Sequence, residues 1–254
     1  MKYSEEKTLE RFVKLNTDTW EGIKDNVMVH LINSKYLSQY GKDICYNKVL
    51  DLAMVFAIQE KDKDGLRIYY LSNEDTKKYG VTIETLREVA MKNAEHSRKK
   101  RLVTLSDSIA MTNMLYPLAV KMPGTSMGVG GQGGPTIGVL QDVSEDQENI
   151  LVVTNKGVPF GAQYMLLPSV LEEVYARFNN ENFYILPMSR HQAWYIRRGY
   201  VTHDETKPWQ YVEDDLLDMI EEFNDTQNKS WKDILSYKLY YYIGDDGKLI
   251  VPIS

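Results

Sequence analysis

The chain has a single cysteine, Cys45, among 254 residues. No intramolecular disulfide can form, so the sequence does not read as a secreted, disulfide-stapled scaffold. Within Ile44-Cys45-Tyr46 the thiol reads as a small buried hydrophobe rather than a nucleophile. Long apolar runs are also missing, since no stretch approaches the roughly 18 residues that a membrane-spanning helix needs. The opening Met1-Lys2-Tyr3-Ser4-Glu5-Glu6-Lys7 lacks the apolar segment of a signal peptide. The expected location is therefore the cytoplasm, with no membrane partner. Positive charge is in deficit: 30 Lys and Arg against 36 Asp and Glu leave a net charge of −6. The whole-molecule field opposes a polyphosphate partner, and only a local basic patch could meet one. Phenylalanine is scarce, 6 against 18 tyrosines. Tyrosine joins apolar area to a polar tip, which suits half-buried strands first and contact surfaces second.

What is present is globular usage, 43% hydrophobic and 26% charged, enough to build a core and to exclude disorder throughout. Residues 5–15 place Leu9, Phe12 and Val13 near one face and predict a short amphipathic helix. Strands are predicted over 27–32, 51–59 and 66–71, the last two joined by Lys61-Asp62-Lys63-Asp64-Gly65. Ser72 opens a short helix that Gly80 closes, and Thr82 caps a longer one that ends near His96. A further helix is expected within 106–118. Residues 122–138 then form a glycine-rich loop.

The second half predicts strands over 150–154 and 162–167, with a helix starting at Pro168 and presenting Val170, Leu171, Val174 and Phe178. An antiparallel pair, 183–186 and 193–196, surrounds Pro187-Met188-Ser189-Arg190-His191. A helix through Leu216, Leu217, Ile220 and Phe223 carries an acidic outer face, a short helix lies near 230–235, and a hairpin turns at Gly244-Asp245-Asp246-Gly247. Tight turns between strands, with helices in blocks, give an α+β fold of mainly antiparallel sheet hairpins with flanking helices. The expected organisation is an N-terminal α+β region over 1–121, the loop at 122–138 and a C-terminal α+β region over 139–254, or one continuous domain. Leu52, Val55, Phe56, Val89, Leu151, Val153, Leu171, Val174, Tyr184 and Leu186 are the expected core.

Several segments, in order, carry a resemblance. They are Leu50-Asp51-Leu52-Ala53-Met54-Val55-Phe56, Leu86-Arg87-Glu88-Val89-Ala90-Met91-Lys92-Asn93, Leu151-Val152-Val153-Thr154-Asn155-Lys156-Gly157, Phe183-Tyr184-Ile185-Leu186-Pro187, Glu222-Phe223-Asn224-Asp225-Thr226 and Ile234-Leu235-Ser236-Tyr237-Lys238-Leu239-Tyr240. Together they resemble an uncharacterised bacterial domain-of-unknown-function family of gut Gram-positive bacteria and their mobile elements. The resemblance spans most of 26–250 and implies a shared fold and an accessory setting, and it brings no catalytic residue to carry over. His191 matches a histidine of the family's pattern, but Gln192 stands where relatives look acidic.

Motifs of chemistry are few. Gly128-Val129-Gly130-Gly131-Gln132-Gly133 has the letters of a dinucleotide fingerprint, yet no buried parallel strand precedes it and Pro135 follows, so no cofactor is expected. Four scattered histidines, with only His203-Asp204-Glu205 joining two carboxylates, predict no metal site. Ser189 and His191, two apart in an extended turn, would point the same way, as a nucleophile and base do. No orienting carboxylate accompanies them. Arg190, Arg197 and Arg198 sit around the same turn, and Arg98-Lys99-Lys100-Arg101 forms the one dense basic cluster, read as the C-terminal complement of a helix dipole or as a phosphate or acidic-partner contact. The resulting expectation is a non-enzymatic protein-interaction or host-interference factor, its partner a protein bound through these basic residues. A hydrolase centred on Ser189 and His191 is the alternative, and a nucleic-acid binder through residues 98–101 the less favoured third. Oligomeric state stays open.

Overall fold

The computed structural model describes residues 3–41, 43–61, 65–97, 100–105, 107–108, 148–155, 161–189, 193–201, 210–227 and 234–250. The chain is an α+β protein divided into two compact units, 1–99 and 100–254.

The first unit is built on a five-stranded sheet from β1 (Tyr3–Glu5), β2 (Val27–Asn33), β3 (Tyr46–Val49), β4 (Leu52–Lys61) and β5 (Leu66–Tyr70). Strand β4 is its centre. It pairs antiparallel with β2 along one edge, while β3 and β5 follow one another along the other. Residues 52–58 are buried on both faces, which is why they read as a continuous apolar run instead of an alternating one. Helix α1 (Trp20–Ile23) precedes β2, and α2 (Asn73–Tyr79) and α3 (Ile83–Glu95) follow β5. Ser72 caps α2 in a reciprocal capping box with Asp75, and Gly80 ends it at φ +65°, a left-handed position that a Cβ disfavours. The side chain of Thr82 accepts from the Thr85 amide at the start of α3.

Residues 5–15 depart from the predicted helix. Tyr3–Glu5 pairs in parallel with β5, and Leu9–Arg11 makes only a 3₁₀ turn. The buried Glu60 carboxylate accepts the amides of Val13 and Lys14, at 3.3 and 2.6 Å, while Leu9 and Phe12 are buried. An isolated eleven-residue helix is marginal, and these tertiary contacts hold the segment in a short strand and a single 3₁₀ turn instead.

The second unit is a six-stranded antiparallel sheet in the order β11-β10-β8-β9-β7-β6, formed by β6 (Lys100–Thr104), β7 (Ile150–Asn155), β8 (Phe183–Leu186), β9 (Ala193–Arg197), β10 (Tyr240–Ile243) and β11 (Lys248–Ile250). Two helices, α4 (Pro168–Arg177) and α5 (Gln210–Gln227), connect strands that are not neighbours. Strands β7 and β8 are both antiparallel to β9, hence parallel to each other, and α4 joins them across it. Strands β9 and β10 are related in the same way across β8, and α5 joins those. Both crossovers step the same way across the sheet, but their strands run in opposite senses. Right-handed connections then place α4 and α5 on opposite faces.

The packing agrees. Phe178 and Tyr175, at the end of α4, meet Phe183 and Tyr242 with ring centroids 5.7 and 6.2 Å apart. Leu216 and Ile220 of α5 pack with Ile150, Val152, Tyr184, Leu186, Trp194 and Ile196 on the other face. With both faces covered, β7, β8 and β9 are buried along nearly their whole length. Of the ten expected core residues all are buried except Val89, which is half-buried on α3.

Residues 162–167, predicted as a strand, form a 3₁₀ turn at Ala162–Tyr164 leading into Pro168. A Cβ on Gly161 would stand 2.4 Å from the Val153 carbonyl oxygen, so this segment presses against β7 and has no room to pair as a strand. Of the basic cluster, Lys100 and Arg101 begin β6 rather than standing at the end of α3, which closes at Glu95. The expected helix within 106–118 and the glycine-rich loop at 122–138 lie outside the described residues, apart from 107 and 108, and so does most of the one near 230–235.

Candidate functional site

Ser189 follows β8 and is buried, while Arg190, His191 and Gln192 lie outside the described residues. Arg197 stands level with Phe183 at the far end of the hairpin. The turn leaves β8 beyond Leu186, so roughly 10 Å of strand separates Ser189 from Arg197 at about 3.3 Å per residue. Arg197 and Arg198 are each engaged within the fold. Arg197 Nε lies 3.6 Å from Glu181, whose carboxylate also accepts the Gly199 amide. The Arg198 guanidinium lies 5.9 Å from the centroid of the Tyr241 ring. Of the basic cluster, Arg98 and Lys99 lie outside the described residues. Lys100 Nζ donates to Ser169 Oγ at 2.7 Å on α4, and Arg101, next along β6, is exposed. Alternation along a strand sends these two side chains to opposite faces, so the described half of the run is not one patch.

Helix α5 shows a different pattern. Leu216 and Ile220 are fully buried and fix the helix's rotation about its axis. One turn earlier Glu213 stands at the rim of the sheet, where Tyr184 Oη donates to its Oε1 over a long 3.4 Å. Burial raises the Glu213 carboxyl above its ordinary value, with the Tyr184 hydrogen bond and the Arg198 charge pulling it back. Burial, then the charge of Glu213, raises the Tyr184 phenol. Beyond this rim the helix exposes Asp214, Asp215, Asp218, Glu221, Glu222 and Asp225, and Gln210–Gln227 contains no lysine, arginine or histidine. Among the described residues no ion pair engages Asp214, Asp215, Asp218, Glu221 or Asp225.

The remaining reactive groups have structural roles. Burial, with Asp75 and Asp43 nearby, pushes the Cys45 thiol up to about 12, and its Sγ donates to Asn73 Oδ1 at 3.4 Å. His30 is buried between Gln59 and Tyr70, its Nδ1 3.4 Å from the Tyr70 hydroxyl. His96 Nδ1 lies 2.7 Å from the Lys92 carbonyl oxygen at the end of α3. Among the described residues no group of three or more His, Cys, Asp or Glu is placed to hold a metal ion, and no helix is long and apolar enough to cross a membrane.

The match to a known family takes in every strand but β11 and all of α5: the model of a family of unknown function, DUF5688, covers residues 1–243. The chain belongs to DUF5688. No curated protein and no solved structure matches it. In this DUF5688 member the sequence flagged Arg197 and Arg198, which the fold uses internally. It gave no sign of Glu213 against Tyr184 or of Lys100 on Ser169, because these pairs, 29 and 69 residues apart in the chain, meet only through the fold. The outer carboxylates of α5 were legible from their spacing.

Proposed function

We propose that the protein is a non-enzymatic interaction factor of the bacterial cytoplasm that docks a basic protein partner on the outer face of α5. One observation carries this reading: a helix pinned by its apolar seam turns six carboxylates to solvent with no basic residue along its length. Like charges three and four residues apart oppose the helix by about 0.2–0.5 kcal/mol per pair, and acids in its last turn oppose the dipole. A sequence that keeps such a row accepts a stability cost that a basic partner offsets on binding. Arg197 and Arg198, paired within the fold, suit that role less well. The mobile-element setting of the resemblance supports an accessory or host-interference role.

The test is retention of host proteins by the full chain and by a form carrying Asp214→Asn, Asp215→Asn, Asp218→Asn and Glu221→Gln. The expected result is a basic protein held by the parent, released as salt rises, and not held by the neutralised form, which stays folded. Equal retention by both forms overturns the reading. Loss confined to Arg197→Ala or Arg198→Ala returns the contact to the arginines, and a host phenotype lost only in Ser189→Ala and His191→Ala, with retention intact, favours the hydrolase alternative.

A further inference from the structure

Strand β6 ends the six-stranded sheet, and among the described residues no strand pairs with its outer edge. The register says which of its backbone groups look outward. The Arg197 amide donates to the Asn149 carbonyl oxygen at 3.1 Å, so these two residues face each other as a hydrogen-bonded pair. Such pairs recur at every second residue. Leu151 and Val153 therefore turn their backbone groups to β9, while Val152 and Thr154 turn theirs to β6, opposite Val103 and Arg101. Lys100, Leu102 and Thr104 are left with N–H and C=O groups directed away from the sheet.

This edge meets solvent. Arg101 is exposed and Leu102, Val103 and Thr104 are half-buried, whereas Ile150 to Val153 on the adjacent strand are fully buried. Its charged side chains are mainly cationic. Arg177, the last residue of α4, donates from Nη1 to the outward Leu102 carbonyl oxygen at 3.0 Å, and its Nη2 lies 2.7 Å from the Glu148 carboxylate. The guanidinium thus covers one edge acceptor and holds a carboxylate at the same time. Arg101 projects from the opposite face, and among the described residues no ion pair engages it.

We infer that the outer edge of β6 docks an extended acidic segment of a protein partner, which adds a strand to the sheet. A main-chain N–H of that segment replaces the Arg177 guanidinium on the Leu102 carbonyl, one of its carbonyls accepts from the Leu102 N–H, and its carboxylates meet Arg101 and the released Arg177. The alternation that keeps the basic run from forming one patch suits this mode, because an added strand lies beside the side chains of both faces at once. A charged edge also discourages pairing with neutral or basic strands. The surface is separate from the outer face of α5 and takes the opposite charge.

Fluorescence anisotropy of the full chain with a short labelled peptide of alternating glutamate and valine tests this, beside the same peptide with lysine for glutamate and a labelled single-stranded oligothymidine. The variants are Leu102→Pro, which removes an outward N–H while leaving the bonds to β7 in place, and Arg101→Glu, which leaves the backbone untouched and decides alone where the proline variant unfolds. The parent is expected to bind the acidic peptide, less tightly as salt rises, and to lose about tenfold or more in affinity with the lysine peptide and in each folded variant. The form neutralised on α5 should hold the acidic peptide as tightly as the parent, so the two proposals stand or fall separately. No binding of the acidic peptide, equal binding by the folded variants, or equal binding of the lysine peptide overturns the inference. Binding of oligothymidine in place of the peptide overturns it in favour of a nucleic-acid contact.

Discussion

Asp218 occupies the middle of the acidic row on α5, so replacing it tests the charge reasoning at one position. It stands four residues after Asp214, three after Asp215, three before Glu221 and four before Glu222. Those are the spacings at which helix side chains are neighbours. At about 0.2–0.5 kcal/mol for each like-charge pair, Asp218→Asn relieves repulsion worth about 1–2 kcal/mol at low ionic strength. The side chain is exposed, and no ion pair engages it among the described residues, so no compensating contact is lost. The Debye length falls from about 30 Å at 0.01 M salt to about 3 Å at 1 M, so most of the gain should vanish across that range. Urea denaturation followed by far-ultraviolet circular dichroism, at 0.01 and 0.5 M sodium chloride, measures both effects. The midpoint should rise at low salt and converge with the parent at high salt, with an unchanged slope. A variant less stable than the parent by more than about 0.5 kcal/mol at low salt would refute the account, because it would mean that Asp218 pairs with a cation in the folded chain.

Other outcomes follow from the same structure. Asp75→Ala should cost about 2–4 kcal/mol in urea melts, because the buried carboxylate accepts from the Ser72 amide, the Ser72 hydroxyl and the Tyr69 hydroxyl at 2.8, 2.7 and 3.0 Å. Ser72→Ala should cost only about 1 kcal/mol, the usual value of a lost helix cap. Phe56→Ala should destabilise by about 3–5 kcal/mol and Leu186→Ala by about 2–5 kcal/mol, as both side chains are fully buried. Glu213 binds its proton more tightly folded than unfolded, so stability from this group is greatest below the unfolded carboxyl range and declines as pH rises through the raised folded value. Glu213→Gln should abolish that part of the pH dependence of the urea midpoint, while Asp245→Asn leaves it in place.

Legibility in the sequence followed the kind of force that shapes each element. Helices α2, α3 and α4 were readable because their starts are chemical: Ser72, Thr82 and Pro168 act through local hydrogen bonds or a fixed φ, and Gly80 through a left-handed φ. The central strands were readable because burial on both faces leaves only apolar side chains, as in Ile150–Val153. Edges were not. Strand β3 reads Tyr46-Asn47-Lys48-Val49, and β6 opens with Lys100-Arg101; β3 owes its extended form to pairing with the neighbouring β4 and β6 to β7, distant in sequence, rather than to their own composition. The crossovers were invisible for a related reason, since the order β7-β9-β8-β10 depends on which strand slips between which. At the candidate sites, charge spacing on α5 could be read directly. The contact of Glu213 with Tyr184 could not, because it joins two elements through the fold and leaves no compositional trace.

The interleaved strand order has a consequence for how the protein is made. During synthesis β8 and β9 emerge and can zip together, but the outer edge of β8 stays bare until β10 appears more than forty residues later, after the whole of α5. Throughout that interval a fully apolar strand, Phe183-Tyr184-Ile185-Leu186, presents an open row of backbone donors and acceptors to the ribosome's surroundings. The acidic α5 is the next segment out. Its charge would keep neighbouring nascent chains apart while that edge waits, so the row of carboxylates can serve the polypeptide before it has folded as well as after.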